Sequence, residues 1–410
     1  MAEIIPFHGL RYEEKIVGDL ANVIAPPYDV ISPAQQAELY ARDPFNVVRL
    51  ELAKAEAGDD EIHNRYERAN RTLADWTERG ALHVDYAPAL YLYDHHFPFR
   101  GRRLRRRGFF AALRLYDWGR GLVRPHEQTF AGPKQDRLWL LRATRTNISP
   151  VFTLYDDTNA LVRGFLEDAI AHGPAELVAD VRQGEERHLL FRMEDRFATR
   201  RIVEAFSDKR LYIADGHHRY ETARDYFHEQ QQAGRIEVDN DTSAYVLTYF
   251  AAMQDDGLLI LPTHRVIRGS DEAVTRAIER SFARHPIDAG ALEDQQPPLA
   301  VALDSQLAAL EPANGSGVER LPSVWRDLPV AQAEELIVRP AREAGAEISY
   351  TYELEDALAA AKEGAISVLL RGVSAETIKR VADAWERLPQ KTTYFYPKVP
   401  TGLVMRPLGA

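Results

Sequence analysis

The sequence predicts a mixed α/β protein in two parts, and three features predict it. Stretches with a helical apolar period alternate with short apolar runs. One of those runs, 243–253, is apolar almost throughout, as a strand covered on both faces would be. From about residue 268 the texture changes, and turn compositions such as Pro312-Ala313-Asn314-Gly315-Ser316-Gly317 separate the elements. A length of 410 residues also exceeds one ordinary domain, at roughly 150 residues each. The expected division is 1–265 and 266–410, the second part being a smaller α/β domain.

The elements follow in order. Ser32 before Pro33 is an N-cap with proline at the first helical position, so a helix should run to about Ala41. Residues 46–50 read as a strand. Over 60–79, Ile62, Tyr66, Ala69, Leu73 and Trp76 form one apolar stripe, and Gly80 stops the helix. Two strands, 89–99 and 106–116, flank a turn at Arg100-Gly101-Arg102. Six arginines between 100 and 107 make that turn either a solvated tip or a site for an anionic ligand. Helices are expected at 159–171, 195–206 and 220–232, and a hairpin around Gln183-Gly184. Strands are expected at 211–214 and 258–261. Beyond the boundary, helices at 271–284, 330–338, 356–363 (Asp356 as N-cap) and 375–388 accompany a strand at 365–370 and an extended end at 393–397.

Composition excludes several functions. The chain has no cysteine, which removes disulfide scaffolds, zinc ribbons and thiol nucleophiles. Its net charge of −11 argues against non-specific nucleic-acid binding, which depends on excess Lys and Arg. There is no apolar run of the ~18–20 residues that span a bilayer, so no membrane partner is expected. Met-Ala-Glu-Ile-Ile-Pro-Phe lacks a signal-peptide pattern, and a cytoplasmic protein is the expectation. The Walker A, G-x-G-x-x-G, G-x-S-x-G and HExxH motifs are absent, and His95-His96 is isolated along the chain.

The strongest local signal is Leu211-Tyr212-Ile213-Ala214-Asp215-Gly216-His217-His218-Arg219-Tyr220. An apolar strand ends in a glycine turn and a helix begins. A helix start carries unpaired N–H groups and the positive end of the dipole, which favour an anion. Arg219 adds a permanent cation, and Asp215 is placed to hold Mg²⁺ or to orient His218. A second constellation joins Arg124-Pro125-His126-Glu127-Gln128-Thr129 to Lys134, Asp136 and Arg137. Glu127 is the candidate general base there, with Lys134 and Arg137 neutralising charge. Three further stretches stay open between structural and functional readings: Thr144-Arg145-Thr146-Asn147-Ile148-Ser149-Pro150, Leu261-Pro262-Thr263-His264-Arg265, and Lys391 with Lys398.

Six motifs in order, Ala25-Pro26-Pro27-Tyr28-Asp29-Val30, the 124–129 stretch, Lys134-x-Asp136-Arg137, Asn147-x-Ser149-Pro150, Asp215-Gly216-His217-His218-Arg219 and Pro262-Thr263-His264-Arg265, resemble the DUF1015 family. The Asp215–Arg219 loop also resembles that of ParB-like nucleotide-binding proteins, sulfiredoxins and free serine kinases. That resemblance implies a ParB-like core in 1–265, with Gly216, His217 and Arg219 on nucleotide phosphates. Sulfiredoxin chemistry needs a cysteine and drops out. DNA partitioning needs a helix-turn-helix after the loop, where this chain has the apolar run 243–253. The free serine kinases share Asp-Gly-His-x-Arg, and they use a carboxylate to activate the serine hydroxyl. The resemblance therefore implies phosphoryl transfer between ADP or ATP and serine with Mg²⁺, or hydrolysis of phosphoserine. The alternative from another class is a non-catalytic nucleotide-binding regulator.

Overall fold

The computed structural model describes residues 2–127, 131–236, 241–294, 297–303 and 306–409. Gln128 and Thr129 of the 124–129 stretch lie outside the described residues. The chain forms two compact units: Met1–Arg124, Thr129–Leu258 and Pro397–Ala410 make the first, and Pro125–Gln128 with Leu259–Tyr396 the second.

Among the described residues the first unit carries a mixed sheet of nine strands. They are β1 (Ile4–Ile5), β2 (Leu90–Phe99), β3 (Arg102–Arg114), β4 (Val123–Arg124), β5 (Val151–Tyr155), β6 (Ala175–Gln183), β7 (Glu186–Met193), β8 (Leu211–Asp215) and β9 (Tyr245–Ala252). The order is β4-β8-β5-β9-β3-β2-β7-β6, with β1 beside β3. All eight residues of β9 are buried, as its unbroken apolar run requires of a central strand. Phe109, Phe206, Phe250 and Tyr155 pack together beneath the sheet. Arg100 and Gly101, both at positive φ, make the tight turn between β2 and β3.

The helices of this unit follow local chemistry closely. Helix α1 (Pro33–Arg42) starts at a capping box between Ser32 and Gln35. Helix α2 (Arg65–Glu78) starts five residues later than the apolar period suggests. Asn64 accepts the N–H groups of Tyr66 and Glu67, while Asp60 holds a separate turn and leaves Ile62 exposed. Helices α3 (Ala131–Thr144), α4 (Leu161–His172), α5 (Arg196–Phe206) and α6 (His217–Gln232) complete the set used below. The expected strand at 46–50 is a helical turn, Val48–Glu51. Asn46 decides this: its side chain accepts the Val48 N–H and donates to the carbonyl of Asn22, overriding the weak β preference of two valines.

In the second unit β10 (His264–Arg268), β11 (Phe282–Ile287), β12 (Leu299–Leu303), β13 (Gln306–Pro312), β14 (Glu347–Thr351) and β15 (Ile366–Leu370) form an antiparallel sheet in the order β11-β13-β12-β15-β10-β14. The helix expected over 271–284 stops at Ser281, where the chain turns into β11. That expected at 375–388 ends at Asp383. Asp356 sits inside the helix Leu354–Lys362 and does not cap it.

The chain divides at Leu258 and not at 265, and it departs from a single cut in two further ways, both long-range. Glu127 bridges to Leu388, so residues 125–128 belong with the second unit. The C-terminal residues return to the first unit: Arg406 and Pro407 pair with Asn147 and Thr146, and Met405 bridges to Leu10.

Candidate functional site

Strand β8 delivers Asp215 to the start of α6, and Gly216 makes the junction at φ +85°. Its missing side chain has a second use. A Cβ at Gly216 would stand 2.9 Å from Nε of Arg219, so the guanidinium folds back against the loop only because residue 216 is glycine. Arg219 donates to the carbonyl oxygen of Pro150 and lies 3.6 Å from Asp215. Its buried Nε–H has no hydrogen-bond partner among the described residues.

Asp215 is held from both sides. Oδ1 accepts the Gly216 N–H at 2.7 Å and Oδ2 accepts from the Lys398 ammonium at 3.0 Å. Burial raises this carboxyl, but the charges of Lys398 and Arg219 more than offset it, and the net effect is far below the ordinary carboxylate range. These contacts leave Asp215 unsuited to the Mg²⁺ expected there: a divalent cation would have to displace an ammonium group already on the oxygen it needs. We therefore place no metal on Asp215.

Around this loop the first unit gathers residues far apart in sequence. Lys134 pairs with Glu221 at 3.2 Å, and the Thr222 hydroxyl donates to the Lys134 carbonyl at 3.3 Å, which fixes α3 against α6. Arg137 is buried. It donates to the Glu51 backbone carbonyl at 2.7 Å and to Asp136 at 2.8 Å, and its guanidinium lies 4.1 Å from the centre of the Tyr28 ring. Glu51 accepts from the Ser149 hydroxyl at 2.8 Å. Burial raises the Glu51 carboxyl, with Arg137 and Ser149 acting against the rise. Asp29 is exposed, and its charge acts on His218, Arg219 and Glu51. His218 is half-buried. Burial pushes its imidazole below the ordinary value of 6.5, against the pull of Glu221 and Asp29, so it is neutral at pH 7.

Of the residues predicted from sequence, Asp215, Gly216, His217, His218, Arg219, Lys134 and Arg137 all belong to the first unit. His217 is buried. Glu127 belongs to the second unit, where its carboxylate accepts the backbone N–H of Lys391. Arg265 and His264, at an expected strand end, are buried in that unit: His264 accepts the Leu370 N–H at 3.1 Å and Arg265 faces Glu334 at 3.8 Å. The arginine turn also resolves. Arg106 and Arg107 are buried, Arg107 on Asp94 at 2.6 Å, while Arg102, Arg103 and Arg105 are exposed.

Glu51 and Lys398 entered the cluster without a sequence assignment. Glu51 had a usable signal, a lone carboxylate within the apolar run Val47-Val48-Arg49-Leu50-Glu51-Leu52. Lys398 stood open between an exposed and a ligand-facing reading, and its partner could not be named because it lies 183 residues away.

Residues 4–331 match the model of a family described as "Protein of unknown function (DUF1015)". The chain belongs to this family. This DUF1015 protein has no match among curated proteins. Among solved structures it is similar to a free serine kinase variant in complex with ADP, at 13% identity and a TM-score of 0.38, covering 72% of this chain and 92% of that one. A conserved hypothetical protein from Pyrococcus furiosus aligns at 12% identity and TM-score 0.36, over 72% and 95% of the two chains. SbnI with C-terminal truncation from Staphylococcus aureus aligns at 12% and 0.38, over 70% and 84%. No helix of the described residues is long and apolar enough to cross a membrane.

Proposed function

We propose that this DUF1015 protein transfers a phosphoryl group between an adenine nucleoside di- or triphosphate and a small hydroxyl acceptor, with serine as the favoured acceptor and phosphoserine as product. The observation that carries the reading is Arg219. It is a cation at a helix start with its side chain 10% exposed, held by Pro150 and Asp215, with one buried N–H donor left over. A phosphate oxygen supplies what that donor lacks, and the α6 dipole adds to the attraction. The β- or γ-phosphate lies on Gly216, His217 and Arg219, with Lys134 as the second cation. Arg137 acts as a positioning residue, because Asp136 and Glu51 occupy its guanidinium.

The serine oxygen forms the new P–O bond, the bond to the nucleotide's bridging oxygen breaks, and that oxygen leaves with the electron pair. The hydroxyl proton goes to a general base. His218 fits this role best, with Asp215 holding the loop that carries it. Glu127 is the second candidate. Hydrolysis of phosphoserine would use the same groups, with water as acceptor.

The test is to incubate the full chain with serine and ADP or ATP and to follow phosphoserine by ³¹P NMR. His218→Gln should lower kcat by about 10²–10⁴-fold, the usual contribution of a general base, and Glu127→Gln should leave it within a few-fold. The reverse pattern moves the base to Glu127. The rate should rise with pH below 6.5 and level off above it, because the His218 proton is lost below that ordinary value. Neither transfer nor phosphoserine hydrolysis at any pH sinks the reading.

A nucleotide-binding regulator is favoured by one observation. Lys134 and Lys398 already face carboxylates, so a bound phosphate would exchange ion pairs and switch the cluster between two states. ADP binding by calorimetry without any turnover would select it.

A further inference from the structure

A second polar cluster lies on the same sheet, and phosphoryl transfer does not use it. His95 on β2 and His188 on β7 are register partners in an antiparallel pair. Glu186 stands two residues before His188, so strand alternation brings all three side chains to one face. Their ligand-type atoms lie within 4.8 Å of one another. His95 Nε2 is 2.8 Å from Glu186 Oε2, and His188 Nε2 is 3.9 Å from that same oxygen.

The burial of this trio needs an explanation. His95 and His188 are 0% and 1% exposed. The His95–Glu186 contact alone accounts for one ring nitrogen and one carboxylate oxygen. It leaves Nε2 of His188 buried with no hydrogen-bond partner, and Nδ1 of His95 likewise. Each such orphan costs about 1–3 kcal/mol when nothing fills the gap. Nδ1 of His188 is already fixed by the Tyr93 hydroxyl at 2.8 Å. If that nitrogen carries the proton, Nε2 presents a lone pair toward Glu186, which is the arrangement of metal-binding histidines with an outer hydrogen bond on the far nitrogen. Ligand atoms of a tetrahedral site with bonds of about 2.0–2.1 Å stand about 3.3 Å apart. The two separations from Glu186, 2.8 and 3.9 Å, fall on either side of that value, and every pair in the trio lies within 4.8 Å.

We propose that His95, Glu186 and His188 bind a first-row divalent transition-metal ion, zinc in the first instance, with at least one coordination position left open. Two imidazoles and one carboxylate suit such an ion. They do not suit Mg²⁺ or Ca²⁺, which take oxygen ligands. The charge of the buried Arg106 acts on all three residues and opposes any dication, so the affinity has to come from nitrogen donation. The Glu186 side chain is 33% exposed, which gives the ion a way in.

The experiment uses the full chain without an affinity tag, after chelator treatment and dialysis. Cobalt(II) is titrated and followed by its visible absorption, and zinc is then added in competition. The expected result is one cobalt per chain with d–d bands that zinc abolishes. Glu186→Gln should weaken cobalt binding by at least about tenfold, and His188→Ala should remove the bands. If His188→Ala does not fold, Glu186→Gln alone decides, because its partly exposed side chain can change without disturbing the core. Two results overturn the proposal: no stoichiometric band in the unaltered chain, or the same affinity in Glu186→Gln, which assigns the cobalt to others of the 13 histidines.

Discussion

Around the start of α6, Lys134, Arg137, Arg219 and Lys398 each face a carboxylate, on Glu221, Asp136, Asp215 and Asp215 respectively. In the His95–Glu186–His188 trio two neutral rings face one carboxylate, and ring nitrogens are left over. Both clusters sit on one sheet, yet they handle buried polarity differently. The first is internally compensated, so an anion proposed there has to replace carboxylate partners or use the spare Arg219 donor. The second is under-satisfied, so a ligand binds by filling it. Removing one member should therefore be expensive in the first and cheap in the second.

The largest expected effect is at Arg137. Arg137→Ala leaves Glu51 buried without its ion-pair partner, with only the charge of Arg219 still acting on it, and should destabilise the first unit by about 3–5 kcal/mol, read by urea denaturation. Arg137→Lys should recover only part of this, since an ammonium cannot reproduce the fork on Asp136 and Glu51. A loss under about 1 kcal/mol would show that the compensation is weak. Next is Asp215→Asn, which strips the anion from between Lys398 and Arg219 and should cost about 1.5–3 kcal/mol at pH 7. The carboxyl of Asp215 is held below its unfolded value, so its contribution is complete above about pH 4 and lost as the pH falls further. The gap between Asp215→Asn and the parent should therefore shrink when urea curves are repeated below pH 4. The smallest effect is Glu186→Gln in metal-free protein, within about 1 kcal/mol, because the amide oxygen still accepts from His95. A large loss there would mean that the trio is a compensated pair like the first cluster.

Much of the first cluster was legible locally. Strand β8, the glycine junction and the α6 start could be read from Leu211 to Tyr220 because each rests on near neighbours: an apolar run, a residue that accepts positive φ, and a helix start. The capped start at Ser32 was legible for the same reason. What escaped depends on distant pairing. Glu51 acquires its meaning from Ser149 and Arg137, and Lys398 from Asp215. His95 looked isolated because its partners lie on a strand 91 residues further on. Glu127 shows the converse. It stands seven residues before Lys134, but its bridge to Leu388 assigns it to the other unit.

The mixed α/β class, the covered strand at β9, the absence of cysteine and the strand–glycine–helix junction at Asp215–Arg219 were determined by sequence alone, because periodicity, composition and turn geometry act within a few residues. Tertiary structure decided which charges neutralise which, that the C-terminal Lys398 holds Asp215, and that two histidines and a glutamate meet on neighbouring strands. Strand register and buried ion pairing are set by the energy of the whole packed unit, and no local pattern encodes them.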